Sequence, residues 1–392
     1  MRKCRLHFVL SAFLFSACGP DGAGPANATF QVDTLQSGLV RVVNDGGGAW
    51  TPETAWRLEQ DLRLGTVEGE GPEQFSQVAW IQEDPAGRVY VVDYLAQEIR
   101  VFGATGTYSH TIGRKGEGPG ELMSAAGLNW GPDGNLWVWQ LRRFSAFTPS
   151  GEFVTSHPRL TQGVIYPWNG GFVDDGRYID WGLARERGAN PNETTGLTTF
   201  YAIHFTPPDT YDTLPPLQFN AWMGDSGRRL VGENKGIMLA QTEDGHIWFA
   251  HTDEYTLFKR TLEGDTLLSA SVPSRPDMVP PEEIDSIIRG YVERGFPEVP
   301  ELDDFVTERR LVTRVLVDDL GHVYVFPQEP GVPEGTTIDV FEESGVYLGR
   351  MALDETVLTR GPPPYITRDH VYGVVNDEFD VPFVVRWRIL RP

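Results

Sequence analysis

The sequence has almost no cysteine. Two occur in 392 residues, Cys4 and Cys18, and none follows Cys18. A disulfide framework, a thiolate metal cluster and a cysteine nucleophile are thereby excluded from the rest of the chain. Positive charge is scarce as well: 33 Lys and Arg stand against 55 Asp and Glu, a net charge of −22. Such a surface repels phosphate backbones and anionic headgroups, so nucleic acid is not expected as a partner. The amino-terminal apolar stretch, Leu6 to Phe15, is too short to cross a bilayer as a helix. HExxH, Asp-rich calcium loops, GxSxG and a GK[ST] phosphate loop are all missing, which removes the common metalloprotease, calcium-hand, hydrolase-elbow and nucleotide-loop readings.

The amino terminus does carry an address. Arg2, Lys3 and Arg5 precede the apolar stretch, and Ser16 and Ala17 lead into Cys18. This is the pattern of a secretory signal. The string LFSAC matches a bacterial lipobox, with Phe15 where an aliphatic residue is more usual. Residues 1–17 are therefore expected to be a lipoprotein signal peptide and Cys18 the lipidated residue, giving lasting membrane attachment. The alternative is cleavage after Ala17 that leaves a free thiol. Residues 18–29 are small and Gly/Pro-rich and read as a flexible tether; residues 30–392 hold the fold.

What fills those residues is one phrase, repeated. It reads DPAGRVYV from Asp84, PDGNLWV from Pro132, EDGHIWFA from Glu243 and DDLGHVYV from Asp318, with weaker copies DDGRYIDW from Asp174 and RDHVYGVV from Arg368. Each joins an acidic-Gly turn to a β-branched and aromatic strand. Recurrence at this spacing is the mark of a propeller or solenoid. Around the first copy, Ser76–Glu83, Arg88–Asp93, Glu98–Phe102 and Tyr108–Ile112 read as four antiparallel strands, one propeller blade. The turn glycines fall at Gly87, Gly134, Gly176, Gly245 and Gly321, with His370 at the sixth position. The two longest intervals hold insertions. Leu183–Gly196 reads as a polar loop, while Pro273–Leu302 holds a helix near 281–294 whose Ile284, Ile287, Ile288 and Tyr291 share a face.

The C-terminal run Phe383–Leu390 has no strand behind it, and Trp56–Leu64 has no blade in front. Pairing the two closes the ring and leaves neither edge bare. The expected fold is all-β: a six-bladed β-propeller of four-stranded antiparallel blades with one helical insertion.

The string GRKGEGPGEL from Gly113, the repeated turns, the lipobox start and the closing VYGVVNDEFDVPFVVRWRI from Val371 together resemble the bacterial six-bladed β-propeller lipoproteins with NHL-like repeats. The resemblance spans nearly all of the mature chain and implies a fold and an envelope location. It implies no settled activity.

The glycine string invites a phosphate-cradle reading, since Arg114 and Lys115 sit beside backbone amides. LGTVEGEGPEQF from Leu64 is a degenerate copy at blade spacing without the basic pair, so a link between blades is the simpler role. Strand parity then places these links on the same face as the turns joining second to third strands. That face gathers Asp93, Tyr94, Arg114, Lys115, Arg142, Arg143, His251, Asp253, Asp377 and Glu378 as candidate ligand residues. No catalytic set and no metal site is assigned. These readings point to a lipid-anchored binding or scaffold module of the bacterial envelope, its partners the membrane and a protein or small-molecule ligand. The alternative is a channel-centred hydrolase or NHL-type lyase, with calcium held by carboxylates such as Asp93, Asp253 and Asp377.

Overall fold

The computed structural model describes residues 30–392 apart from 70, 161–169, 188–193, 205–209, 222–235, 298, 300, 302–304, 306 and 360. The segments expected to be signal peptide and tether, Cys18 included, lie outside the described residues. Strands β1 (Phe30–Thr34), β2 (Val40–Asn44) and β3 (Arg57–Leu64) open the chain. Blade one follows as β4 (Val78–Glu83), β5 (Val89–Asp93), β6 (Glu98–Phe102) and β7 (Tyr108–Ile112). Blade two is β8 (Ala125–Trp130), β9 (Leu136–Gln140), β10 (Arg143–Phe147) and β11 (Phe153–Pro158). Blade three is β12 (Gly171–Phe172), β13 (Tyr178–Arg187), β14 (Thr194–His204) and β15 (Thr210–Ala221). Blade four is β16 (Ile237–Gln241), β17 (His246–His251), β18 (Thr256–Thr261) and β19 (Thr266–Ser271), and helix α1 (Pro281–Glu293) comes after it. Blade five is β20 (Val312–Val317), β21 (Val323–Pro327), β22 (Thr337–Phe341) and β23 (Tyr347–Ala352). Blade six takes β24 (Tyr365–Ile366), β25 (His370–Asn376) and β26 (Pro382–Leu390), with β3 as its outer strand.

The fold is thus the expected six-bladed propeller. The ring closes as anticipated: β26 pairs antiparallel with β3, from Val384 opposite Leu64 to Leu390 opposite Arg57. The first strand of each blade lines the axis. The second strands are the most deeply buried, every residue of β5 and β21 included, because blade faces pack against one another on both sides. Burial is accordingly organised by seam. Six apolar clusters each mix residues of two adjacent blades, as where Trp248 and Leu257 of blade four meet Val325 and Phe341 of blade five.

The repeated phrase has a common geometry. Gly87, Gly134, Gly176, Gly245 and Gly321 have φ between +73° and +85°, a left-handed turn conformation that only glycine adopts without steric cost. The acidic residue grips the turn from inside. Asp318 Oδ1 accepts the amides of Leu320 and His322 at 3.0 and 2.8 Å, and its Oδ2 faces His322 Nδ1 and the Tyr324 hydroxyl at 3.0 and 2.9 Å. Asp84 does the same with the amides of Ala86 and Arg88, Arg88 Nε and the Tyr90 hydroxyl. Blade six substitutes Thr367, whose Oγ1 accepts the amides of Asp369 and His370.

Two features depart from expectation. Leu183–Arg187 and Thr194–Gly196 are strand rather than loop: β13 and β14 pair from Tyr178–Ile203 out to Arg187–Thr194, and the rest of the expected insertion lies outside the described residues. Blade four also carries two additional strands. β2 pairs parallel with β19, and β1 pairs antiparallel with β2. The chain then passes blade five, where Ala49 and Trp50 donate their amides to Tyr347 and Leu348 carbonyls at 3.0 and 2.7 Å. The amino-terminal segment therefore straps blades four and five before β3 joins blade six. Buried Asn44 fastens the strap: its Nδ2 donates to Ser271 and Gly345 carbonyls, and its Oδ1 accepts the Tyr347 amide at 2.9 Å.

Helix α1 forms where the Ile periodicity predicts it. Pro281 starts it, Glu282 and Glu283 occupy the first turn, and Ile284, Ile287 and Ile288 pack on Val279 and Phe305. It ends in a Schellman cap: Phe296 N bonds Tyr291 O at 3.2 Å and Gly295 N bonds Val292 O at 3.0 Å, with Gly295 at φ +67°.

Candidate functional site

The first strands of all six blades surround a cavity of about 500 Å³ on the ring axis. That is within the range of small-molecule sites. Its linker-side rim is made by Gln77, Tyr94, Gly170 and the Gly361–Pro364 run, which belong to links or to a second-to-third-strand turn. The wall is largely aromatic and aliphatic, with Trp80, Trp139, Trp181 and Tyr365 among the lining residues. Three amides add polarity. Asn129 Nδ2 donates to the Tyr178 hydroxyl at 3.4 Å, and Gln241 Nε2 donates to the Gly171 carbonyl at 3.1 Å while its Oε1 is buried without a partner. The third is Gln77 at the rim. Trp80 Nε1 donates to Gln82 Oε1 at 3.3 Å, and Gln82 Nε2 donates to the Tyr365 hydroxyl at 3.2 Å. Burial, then the nearby Glu83, raises the Tyr365 phenol well above its ordinary range, so it stays neutral.

Among the described residues one charge lines this cavity, Arg314, the third residue of β20. Its Nη2 reaches the Gly361 carbonyl at 3.4 Å and its Nη1 lies 4.0 Å from Met238 Sδ, both marginal contacts. Its Nε is buried without an acceptor. Burial, followed by repulsion from Arg310, lowers the guanidinium to about 10, with Glu334 acting in the opposite direction. It remains charged at neutral pH. No Asp or Glu is among the described residues lining the cavity.

The ten candidate residues fare unequally. Tyr94 lines the cavity; the other nine do not. Asp93 is fully buried and organises the link into β4: it accepts the amides of Ser76, Gln77 and Ala96 and lies 3.4 Å from Arg100 Nη2. Asp377 caps its own turn through the amides of Phe379 and Val381, both at 2.9 Å. Asp253 and Glu378 are exposed beside strand ends, as are Lys115 and Arg142. His251 packs edge-on against Phe249 and Phe258.

The glycine string is a link. Arg114 pairs with Glu121 at 3.0 Å, Glu121 also accepts the Gly118 amide, and Leu122 is buried in the seam between blades one and two. Its carbonyls, not its amides, are what it presents: Arg143 donates to the carbonyls of Glu117, Gly118 and Glu121. A carbonyl cradle around a guanidinium is the reverse of a phosphate site.

Calcium would need oxygen ligands that converge. Among the described residues no group of three or more His, Cys, Asp or Glu is placed to hold a metal, and Asp93, Asp253 and Asp377 do not meet in the channel. A second cavity, about 260 Å³, opens on the glycine-turn face between blades three and four, with Asp174, Asp175, Glu243, Asp244, Arg177 and His246 among its lining. Asp175 and Asp244 there are already engaged by Arg177 and His246, at 2.7 and 2.8 Å.

Loop-based reasoning missed Arg314, Trp80, Asn129 and Gln241. A signal existed: Arg314 is a lone cation in the apolar string VTRVLV, and the parity that orients links also turns first strands toward the axis.

A family model described as a 6-bladed beta-propeller, DUF5128, matches residues 68–129. No curated protein matches the chain. Among solved structures, a Bacteroides fragilis protein described as exported is similar at 12% identity and a TM-score of 0.50, covering 87% of this chain and 98% of its own. A member of the duf4221 family from Bacteroides vulgatus is similar at 12% identity and a TM-score of 0.50, covering 87% of this chain and 100% of its own. At such identities the likeness concerns the fold alone. Fold, family model and neighbours agree: the chain is a six-bladed β-propeller.

Proposed function

We propose that this propeller is a lipid-anchored binding module of the bacterial envelope that takes a small molecule into its central channel from the linker face. The observation that carries the reading is the cavity itself: among the described residues, aromatic walls, a few amides and one cation converge from all six blades. The anchor rests on the lipobox around Cys18 and the preceding basic and apolar segments. The described lining offers the calcium-dependent hydrolase reading no carboxylate donor set, and offers a lyase no His, Asp or Glu as base.

Filling the channel tests the binding reading. A Cβ on Gly171 would first meet the Gln241 and Asn129 side chains, at 3.6 and 3.8 Å, so Gly171→Phe projects a ring toward them. Tryptophan fluorescence of the full chain should change saturably on titration with 2-naphthoate or its neutral isostere 2-naphthamide, and the change should vanish in Gly171→Phe. No saturable response to either probe in the native protein overturns the reading. For the anchor, Cys18→Ser should move the protein from the membrane fraction to the soluble fraction of a bacterial host; unchanged fractionation overturns it.

A further inference from the structure

Most other charges in the blades have partners. Arg159 and Asp180, both buried, are joined by two bonds of 2.6 Å. Arg350 is held by Glu329 and Asp339, and Arg386 by Asp61. Arg314 differs: no carboxylate among the described residues lies within ion-pair distance of it. A guanidinium taken from water without a counter-charge is costly, and a fold retains one where something else completes it. Its fork of donors suits a planar two-oxygen anion.

The surroundings restrict what that anion is. The described lining contains no carboxylate to compete for Arg314 and no second cation to favour a multiply charged group. Trp80, Tyr94, Trp139 and Tyr365 offer flat apolar surface along the same cavity, and its volume of about 500 Å³ admits a body well beyond an inorganic ion. The unpartnered Oε1 of Gln241 offers an acceptor for a donor on the ligand. We propose that the channel binds a small, singly charged organic anion with a flat apolar body, its carboxylate or equivalent group held by Arg314. This rests on the channel being the binding site.

The test compares two molecules of one shape. Against the full chain, 2-naphthoate should bind at least ten-fold more tightly than 2-naphthamide, and inorganic phosphate alone should neither bind nor displace it. Arg314→Met should abolish the preference, leaving both probes equally weak, while Arg314→Lys keeps part of it. The Met variant should stay folded and melt a few degrees higher than the native protein, because a half-buried guanidinium with no carboxylate at ion-pair distance among the described residues has been removed; that readout separates lost binding from lost structure. Equal affinity for both probes in the native protein overturns the anion assignment and leaves the channel reading standing. Binding of neither overturns both. Displacement by phosphate alone overturns the apolar-body half of the assignment.

Discussion

Asp318 and Arg314 lie four residues apart, at the end of β20 and inside it, and put charge to opposite uses. Asp318 is saturated: two amides, an imidazole nitrogen and a phenol surround its carboxylate. Burial opposes its charge, yet the His322 bonds and Tyr324 hold it below the usual carboxylate range. Arg314 has two marginal contacts and an Nε with no acceptor. The glycine-turn face is built of groups that complete one another, whereas the channel keeps one that is incomplete. A polar residue satisfied within the fold explains structure; one left unsatisfied where a cavity begins points to a ligand.

Substitutions on the two sides should therefore differ in sign. The largest effect is expected from Asp318→Ala, which strands two amides and the Tyr324 hydroxyl and should cost about 3 kcal/mol in chemical denaturation. The same turn carboxylates predict acid lability. Asp133, Asp175, Asp244 and Asp318 are all held below the ordinary value. Their contribution is therefore complete above the unfolded Asp value of about 4 and lost as pH falls through their folded values. A melting series from pH 6 down to pH 2 should show a plateau and then a fall. Arg314→Met should instead stabilise, by roughly 1–3 kcal/mol in the same assay, since burial depresses its folded-state pKa.

Smaller effects sharpen the contrast. Gly321→Ala places a Cβ on a residue at φ +84° and 3.3 Å from Glu343 Oε2, and should cost about 1–2 kcal/mol by denaturation, with channel binding unchanged. Asp377→Ala removes two bonds to amides at a surface turn and should cost under about 1 kcal/mol. It should leave naphthoate titrations unaltered, because Asp377 is not part of the cavity lining.

The repeated phrase makes the architecture legible because its chemistry is local. An acidic residue, a glycine at positive φ and a β-branched strand lie within eight residues, and the turn they form is completed by their own side chains. Ring closure between β26 and β3 was legible for a different reason: two strands each lacking a neighbour have one economical solution. The parallel addition of β2 to β19 was not, since nothing in VRVVN names its partner across the ring. The residues that line the central cavity were not legible as a set. Loop carboxylates such as Asp93 and Asp377 attract notice, yet backbone amides consume them. Which first-strand side chains meet on the axis depends on the angular placement of six blades, and no spacing encodes that. Arg314, a charge in an apolar strand, was a signal for the channel that the loop-based reading passed over.

On this reading the guanidinium of Arg314 is the group that a ligand completes. The most direct test is nuclear magnetic resonance of the full chain with ¹⁵N-labelled arginine, the Arg314 Nε–H signal being assigned by its loss in Arg314→Met. On titration with 2-naphthoate that signal should move and saturate at the same concentration as the tryptophan fluorescence, and 2-naphthamide should leave it in place. Saturating fluorescence with an unmoved Arg314 signal would contradict the account.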